Sequence, residues 1–290
     1  MFKKITMFKV ESPSTVINKI VESVEEFSNF KFKSPSATEK KRMGFSHTGF
    51  NFEEYVSLID HNVILKVTTQ EKKPNKNKVA HLVKEKEVTF LEANPEEETV
   101  TKQMSKMFKE EVEEEVLKET FPSEEKHSFV VIRPNGMILV EGSAKQAETI
   151  ISLIRKTIGS LPAIPYESEG DVLDMLKAWV KEDVCDTITL GQKANLIDVN
   201  ENEYKAKGAL GGCSKVASIL KEDTAVVTSV EISREYIKKV VVDEDLVFSG
   251  ITFDKEFTED EESEEASLIL QMNEVFLLID DVVNRLKEED

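Results

Sequence analysis

The sequence predicts an α+β fold with three parts: a central α/β sheet region, a projecting helical hairpin, and a C-terminal β-meander closed by a long terminal helix. Three observations predict it. Residues 133–165 (RPNGMILVEGSAKQAETIISLIRKTIGSLPAIP) read as a compact hairpin-and-helix unit; two long charged helical stripes follow one another within 79–117; and three strand-like runs precede a wide apolar helical stripe at the C-terminus.

In the first of these, Ser128 to Arg133 reads as a strand, Pro134-Asn135-Gly136 as a turn favouring a hairpin, and Met137 to Val140 as the returning strand. Ala144, Ala147, Ile150, Ile151, Ile154 and Ile158 then recur at helical spacing, so one face packs while Lys145, Glu148, Arg155 and Lys156 point to water. Gly159 is placed to end that helix in the left-handed conformation, before an unusual GSLP exit.

Nearer the N-terminus, Phe2 to Val10 reads as a strand, and Val16, Ile17, Ile20, Val21, Val24 and Phe27 form one helical stripe. A linker rich in Ser, Pro and Lys leads to Arg42-Met43-Gly44-Phe45, and His61 to Thr69 reads as another strand. At residues 70–78 (QEKKPNKNK) the composition turns to charge, proline and asparagine, which marks a boundary. Beyond it one stripe holds Val79, Leu82, Val83, Phe90 and Leu91; after Asn94-Pro95 a second holds Val100, Met104, Met107, Phe108, Val112 and Leu117, stopped by Phe121-Pro122. Two long charged helices joined by a short turn make a projecting hairpin. Asp171 to Val180 is a helix carrying Trp179, and a short helix is expected near Ser214 to Leu220. Strands at Thr224 to Ile232, Tyr236 to Val242 and Leu246 to Phe253 form an antiparallel meander. The terminal helix from about Ser263 lies on that meander or pairs with a second subunit, the former being the default.

Composition narrows the function. A net charge of −18 repels nucleic acid on average, so any DNA site must be a local basic patch. The acidic runs at 96–98, 110–115 and 259–265 read as solvated faces or loops. No apolar run approaches the roughly 18 residues of a membrane span, and MFKKITMFKV lacks the apolar core and cleavage site of a signal peptide; a cytoplasmic protein is expected. Cys185 and Cys213 lack CxxC spacing, and the four histidines lack ligand spacing, so neither a disulfide framework nor a zinc site is expected. The glycines of KGALGGCSK do not match a phosphate-binding loop, and no nucleophile elbow occurs. No cofactor is implied. Asp243, Glu244 and Asp245 are the obvious carboxylates for a metal-dependent nuclease, but they fall between two strands where such residues make turns.

Basic residues are more suggestive. Lys102, Lys106 and Lys109 fall at i, i+4 and i+7 on the second hairpin helix, which puts three ammonium groups on one face that could follow a phosphate backbone. Arg155 with Lys156, Lys205 with Lys207, and Lys72, Lys73, Lys76 and Lys78 are further groups. The same spacing also describes a solvated, salt-bridged helix face.

Across its whole length the chain resembles the bacterial recombination-associated RdgC family. The resemblance is carried by FKKITMFKV, by Arg42-Met43-Gly44-Phe45 where the family has a basic-Met-Gly-aromatic run, and above all by NGMILVEGSAKQAETIISLIRKTIGSLPAIP; Leu176-Lys177-Ala178-Trp179-Val180 and the terminal meander and helix follow in order. The resemblance implies a horseshoe-shaped protomer with a central domain at 1–75 and 128–165, a helical tip at 76–127 and a base at 166–290. It implies a head-to-head homodimer closed into a ring, with double-stranded DNA, or secondarily single-stranded DNA, bound non-specifically in a basic hole. It further implies restraint of the RecA recombinase and association with the nucleoid. Lys102, Lys106 and Lys109 match a basic face of the family tip, although Gln103, Ser105 and Glu113 stand where relatives are more basic. The family carries an aromatic at the ring gate on a longer segment; here the segment is the short PSEEKHS, with Phe121 the nearest aromatic. A metal-dependent DNA exonuclease and a protein-protein module acting on a recombinase are the alternatives.

Overall fold

The computed structural model describes residues 2–50, 54–181, 187–208, 210, 216, 220, 225–259 and 263–288. Its N-terminal half holds β1 (Lys4–Lys9), α1 (Pro13–Glu22), α2 (Val24–Asn29), β2 (Lys41–Ser46), β3 (Val56–Ile59), β4 (Asn62–Glu71), α3 (Lys76–Ala93) and α4 (Lys102–Glu119). Next come β5 (Lys126–Ile132), β6 (Met137–Glu141), α5 (Ala144–Ile158), β7 (Ile164–Pro165), α6 (Val172–Lys181), β8 (Thr189–Asp198) and β9 (Glu203–Lys207). The C-terminal part comprises β10 (Ala225–Arg234), β11 (Ile237–Asp243), β12 (Phe248–Phe253), the single turn α7 (Glu256–Glu259) and α8 (Glu264–Glu288). The class is mixed α and β, with antiparallel strand pairing.

Two compact units result: Met1–Val24, His47–Leu65 and Ser128–Asp290 form one, Glu25–Ser46 and Lys66–His127 the other. The first unit is built on a sheet with the order β5-β6-β1-β12-β11-β10-β8-β9, all neighbours antiparallel. Strand β1 pairs along its length with β6, from Ile5↔Glu141 to Lys9↔Met137. Its other edge is shared: Lys4 and Ile5 pair with β12, while Phe8 and Lys9 pair with β7. The GSLPAIP exit thereby acquires a structural reason, since it returns the chain to the part of β1 that β12 leaves open. Gly159 ends α5 at φ 78, and the Arg155 Nε donates to the Leu161 carbonyl at 3.1 Å, holding the exit against the helix end.

The β5–β6 hairpin turns at Pro134-Asn135-Gly136, as expected. The Gly136 N–H donates to the Arg133 carbonyl at 3.0 Å, so the turn is Arg133–Gly136 and Pro134 occupies its second place. Proline fixes φ near the value that place requires, and Gly136 leaves the turn at φ 91, a left-handed value that glycine adopts freely. Helix α8 buries Met272, Val275, Leu278, Ile279 and Val282 in the same apolar core as Val230, Ile232, Val240 and Phe248, so it lies on the meander. Two arginines fasten it. Arg133 makes a two-pronged pair with Asp280, both contacts 2.7 Å, and its guanidinium lies 4.6 Å from the Phe276 ring centroid. Arg234 reaches Glu274 at 2.6 Å and Asp281 at 3.0 Å.

Other expectations are corrected. The first helical stripe is interrupted: the Ser23 N–H is shared by the Lys19 and Ile20 carbonyls, a tightened helix end, and Val21 is exposed. His61 is in a turn, not a strand. Asp60 and His61 both have positive φ and form a two-residue hairpin loop between β3 and β4, with the Asn62 side-chain amide donating to the Ile59 and Asp60 carbonyls. Strand β12 starts at Phe248 because Leu246, also at positive φ, belongs to the preceding turn. Strands β8 and β9, the latter at the sheet edge, are not among the strands expected from the sequence, and the helix expected near Ser214 to Leu220 lies largely outside the described residues.

In the second unit β2 pairs with Lys66–Glu71 of β4, and the Phe27 ring meets Phe45 edge-on at 4.7 Å. The Arg-Met-Gly-Phe run needs its glycine here: a Cβ on Gly44 would stand 2.6 Å from backbone atoms of Phe32, whose N–H donates to the Phe45 carbonyl. Helix α3 starts at Asn75, whose side chain accepts from the Asn77 and Lys78 N–H groups, and α4 starts at Thr101, capped in the same way on Met104. The two helices are antiparallel. Their apolar seam is thin, with Val79, Val112 and Val116 at its centre and Phe90 against Phe108 at 5.8 Å. Ionic contacts flank it: Lys78–Glu119 at 2.6 Å, Lys86–Glu111 at 2.7 Å and Ser105 Oγ to Glu87 at 2.6 Å.

Two predictions follow from these contacts. Arg133→Leu should lower the urea unfolding midpoint, and a double-mutant cycle with Asp280→Asn should give a coupling of about 1–2 kcal/mol, below that of a fully buried pair because Asp280 is partly solvated; zero coupling would show that the pair is idle. For pH, the hydrogen bond from Lys40 holds the Glu113 carboxyl below its ordinary 4.5, and that from Lys78 does the same for Glu119. The unfolded chain therefore takes up these protons first, so this stability is complete above pH 4.5 and is lost as pH falls through the lowered folded values. Lys86 is held above 10.5 by its hydrogen bond to Glu111, so its share is lost only on the alkaline side. Amide protection in α3 and α4, corrected for intrinsic exchange, should fall below pH 4.5; constant protection down to full carboxylate protonation would contradict this.

Candidate nucleic-acid interface

Charge is partitioned very unevenly between the units. The unit of Glu25–Ser46 and Lys66–His127 holds 17 Lys and Arg against 18 Glu, a balance of −1, whereas the rest of the chain holds 21 against 38, a balance of −17. A polyanion is opposed far less by the first than by the second.

Within the near-neutral unit the fold gathers lysines that are distant in sequence. Strand β2 begins beside Lys40, β4 ends at Glu71, and the Lys72 N–H donates to the Lys40 carbonyl at 2.8 Å, which brings 40 and 72–76 together. Helices α3 and α4 add Lys84 and Lys109. The result is a groove of about 950 Å³ lined by Lys40, Lys72, Lys73, Lys76, Lys84 and Lys109, with Glu87 and Glu113 as its carboxylates. Both carboxylates are engaged inside the protein: Glu113 accepts from Lys40 at 2.9 Å and Glu87 from Ser105. Among the described residues, Lys72, Lys76 and Lys84 have no ion-pair partner. Lys72 is 8% exposed. A second concavity of about 610 Å³ continues from Lys84 and Glu87 to Lys102. Lysines thus run along the unit from Lys76 to Lys102.

Of the residues expected from the sequence, Lys102 and Lys109 lie on this track and are exposed. Lys106 is exposed and sits 3.7 Å from Glu110, the solvated pairing that helical spacing also allows. Lys73 is 3.5 Å from Glu71, and Lys78 is bound to Glu119. Arg155, Lys156, Lys205 and Lys207 belong to the other unit. The Arg155 guanidinium holds the exit loop and Lys156 is engaged, while Lys205 and Lys207 share one face of edge strand β9, where lysines discourage pairing with further strands. Lys40 and Lys84 were not singled out in the sequence; only the β2–β4 pairing and the packing of α3 on α4 place them with the others.

The carboxylates considered for metal chemistry have a different task. Asp243 Oδ1 accepts from the Asp245 and Val247 N–H groups, at 3.2 and 2.9 Å, and so shapes the β11–β12 turn. Burial pushes its carboxyl above the ordinary 3.8. Among the described residues no group of three or more His, Cys, Asp or Glu is placed to hold a metal ion, and no helix is long and apolar enough to cross a membrane. Cys185, Cys213 and the glycines at 211 and 212 lie outside the described residues, as does part of the acidic run at 259–265.

The sequence was compared with known proteins. A family model described as "Putative exonuclease, RdgC" matches residues 1–289. The Recombination-associated protein RdgC of Shewanella halifaxensis is 24% identical over 307 residues, covering 98% of this chain and 97% of the relative. The same-named protein of Shewanella baltica is 28% identical over 182 residues, 62% of this chain and 59% of the relative, and that of Shewanella sediminis 25% over 240 residues, 82% and 75%. With a match along its whole length, a mixed α and β fold and relatives named for recombination, the chain belongs to the RdgC family.

Proposed function

We propose that this protein is a non-enzymatic DNA-binding protein that acts in recombination, gripping duplex DNA without sequence preference through the lysine track of its near-neutral unit. The observation that carries the reading is the charge partition: the chain is strongly acidic, yet one unit is held near neutrality and brings six lysines to one groove, Lys72, Lys76 and Lys84 among them without an ion-pair partner among the described residues. Lysine ammonium groups meeting phosphates release condensed counterions, which gives affinity without base readout. Lys102, Lys106 and Lys109 form the primary face, joined by Lys84 and the groove lysines. Arg155, Lys156, Lys205 and Lys207 are secondary contacts.

In this proposal the protomer is a horseshoe in which α3 and α4 are the tip, 1–75 with 128–165 the centre and 166–290 the base. Two protomers close head to head into a ring, with the acid-rich surface outward and lysines facing the DNA. Phe121, 89% exposed just beyond α4, is the aromatic nearest the proposed gate. Occupied DNA is withheld from a RecA-type recombinase, and the protein resides with the nucleoid.

The test is a titration of labelled duplex across salt. About six phosphate contacts should cost roughly a thousandfold in affinity between 50 and 200 mM salt. Changing Lys102, Lys106 and Lys109 together to Glu should abolish binding while leaving the dimer mass unchanged. A shallow salt slope, or retained binding by the triple variant, would overturn the reading. Magnesium- or manganese-dependent loss of linear DNA, abolished by changing Asp243 and Asp245, would establish the exonuclease instead.

A further inference from the structure

The lysine groove has a feature that phosphate binding does not require. Between its cationic walls the floor is apolar, made by Pro74, Val79, Ala80 and Val83. A phosphate backbone presents charge and sugar to a protein and gains little from such a floor. Bases could use it by stacking, but none of the residues lining the groove is aromatic. Its volume of about 950 Å³ lies at the upper end of the roughly 300–1,000 Å³ usual for ligand sites, which suits several side chains rather than one anion.

The second observation is Lys72. The residue is 8% exposed, lines the groove, and has no carboxylate partner among the described residues. A lysine so placed holds its charge ready for an anion from outside, and does so beside aliphatic surface. Neighbouring Lys76 and Lys84 also lack ion-pair partners among the described residues, whereas Glu113 and Glu87 are already bound to Lys40 and Ser105.

We infer that this groove docks an acidic, aliphatic peptide segment of a protein partner: its Leu or Ile side chains sit on Val79, Ala80 and Val83, and its carboxylates pair with Lys72, Lys76 and Lys84. Charge complementarity selects the segment, because a neutral apolar peptide would leave three ammonium groups to be desolvated without compensation. The inference goes beyond DNA binding and does not rest on it; the two uses share the lysines but not the floor.

The experiment uses the full chain and fluorescence anisotropy with three labelled probes: a short synthetic peptide alternating Glu and Leu, the same peptide with Ser in place of Leu, and a DNA duplex. The Glu/Leu peptide should bind about tenfold tighter than the Glu/Ser peptide, from the apolar area its leucines bury. Ala80→Phe fills the floor without changing charge, and Ala80 is exposed, so the Val79–Val112–Val116 seam is left intact. It should weaken the Glu/Leu peptide about tenfold while the duplex changes by less than about twofold. Lys72→Met should weaken the Glu/Leu peptide as well. Equal binding of the two peptides, an unchanged peptide affinity in Ala80→Phe, or a parallel loss of peptide and duplex would overturn the proposal. Failure of the duplex alone to bind would count against the DNA reading and leave the peptide results to stand for this one.

Discussion

Strand β1 is the constraint on which the larger unit depends. It is hydrogen-bonded along both edges, to β6 on one side and to β12 and then β7 on the other. The N-terminal nine residues thus join the C-terminal meander to the hairpin at 126–141, and no local rule of sequence could bring those segments together. Phe2, Ile5, Met7, Leu139 and Phe248 meet in one core as a consequence. Arg133 adds a second long-range fastening, holding α8 through Asp280 and Phe276 from the turn of that hairpin. A chain stitched by such contacts folds only when distant parts have met, and it fixes its geometry accordingly.

The smaller unit is made differently. Its helical hairpin has a thin valine seam flanked by ion pairs, and pairs of this exposed kind contribute only about 0.2–1 kcal/mol each. The composition that leaves it weakly packed also leaves it rich in lysine. In a chain of −18 overall, a balance of −1 here is the condition under which an anion can approach. The groove's carboxylates are tied to internal partners, as Glu113 is to Lys40, and three of its lysines, Lys72, Lys76 and Lys84, have no ion-pair partner among the described residues.

Much of this was legible in the sequence because its signals are local. The stripe of α5, its stop at Gly159, the two helices around Asn94-Pro95 and the meander with its terminal helix depend on spacing within one element. Signals that depend on other elements were not legible. The Asp60-His61 loop has no glycine to announce it, so β3 was missed. Strand β8 carries Gly191, Gln192, Lys193 and Asn195 among its apolar residues, and only its pairing with β10 makes it a strand. At the site, Lys102 and Lys109 could be read from helical spacing. Lys40 could not, because its proximity to Lys72 is created by the ladder between β2 and β4, and Lys84 meets the lysine of α4 only through the packing of α3 on α4.

The most direct measurement is lysine footprinting: acetylation of the full chain with and without a saturating DNA duplex, read residue by residue by mass spectrometry. The account predicts protection concentrated at Lys72, Lys76, Lys84, Lys102, Lys106 and Lys109, with lysines of the acidic unit such as Lys145 and Lys238 reacting as before. Protection confined to the acidic unit, with the groove lysines unchanged, would contradict it.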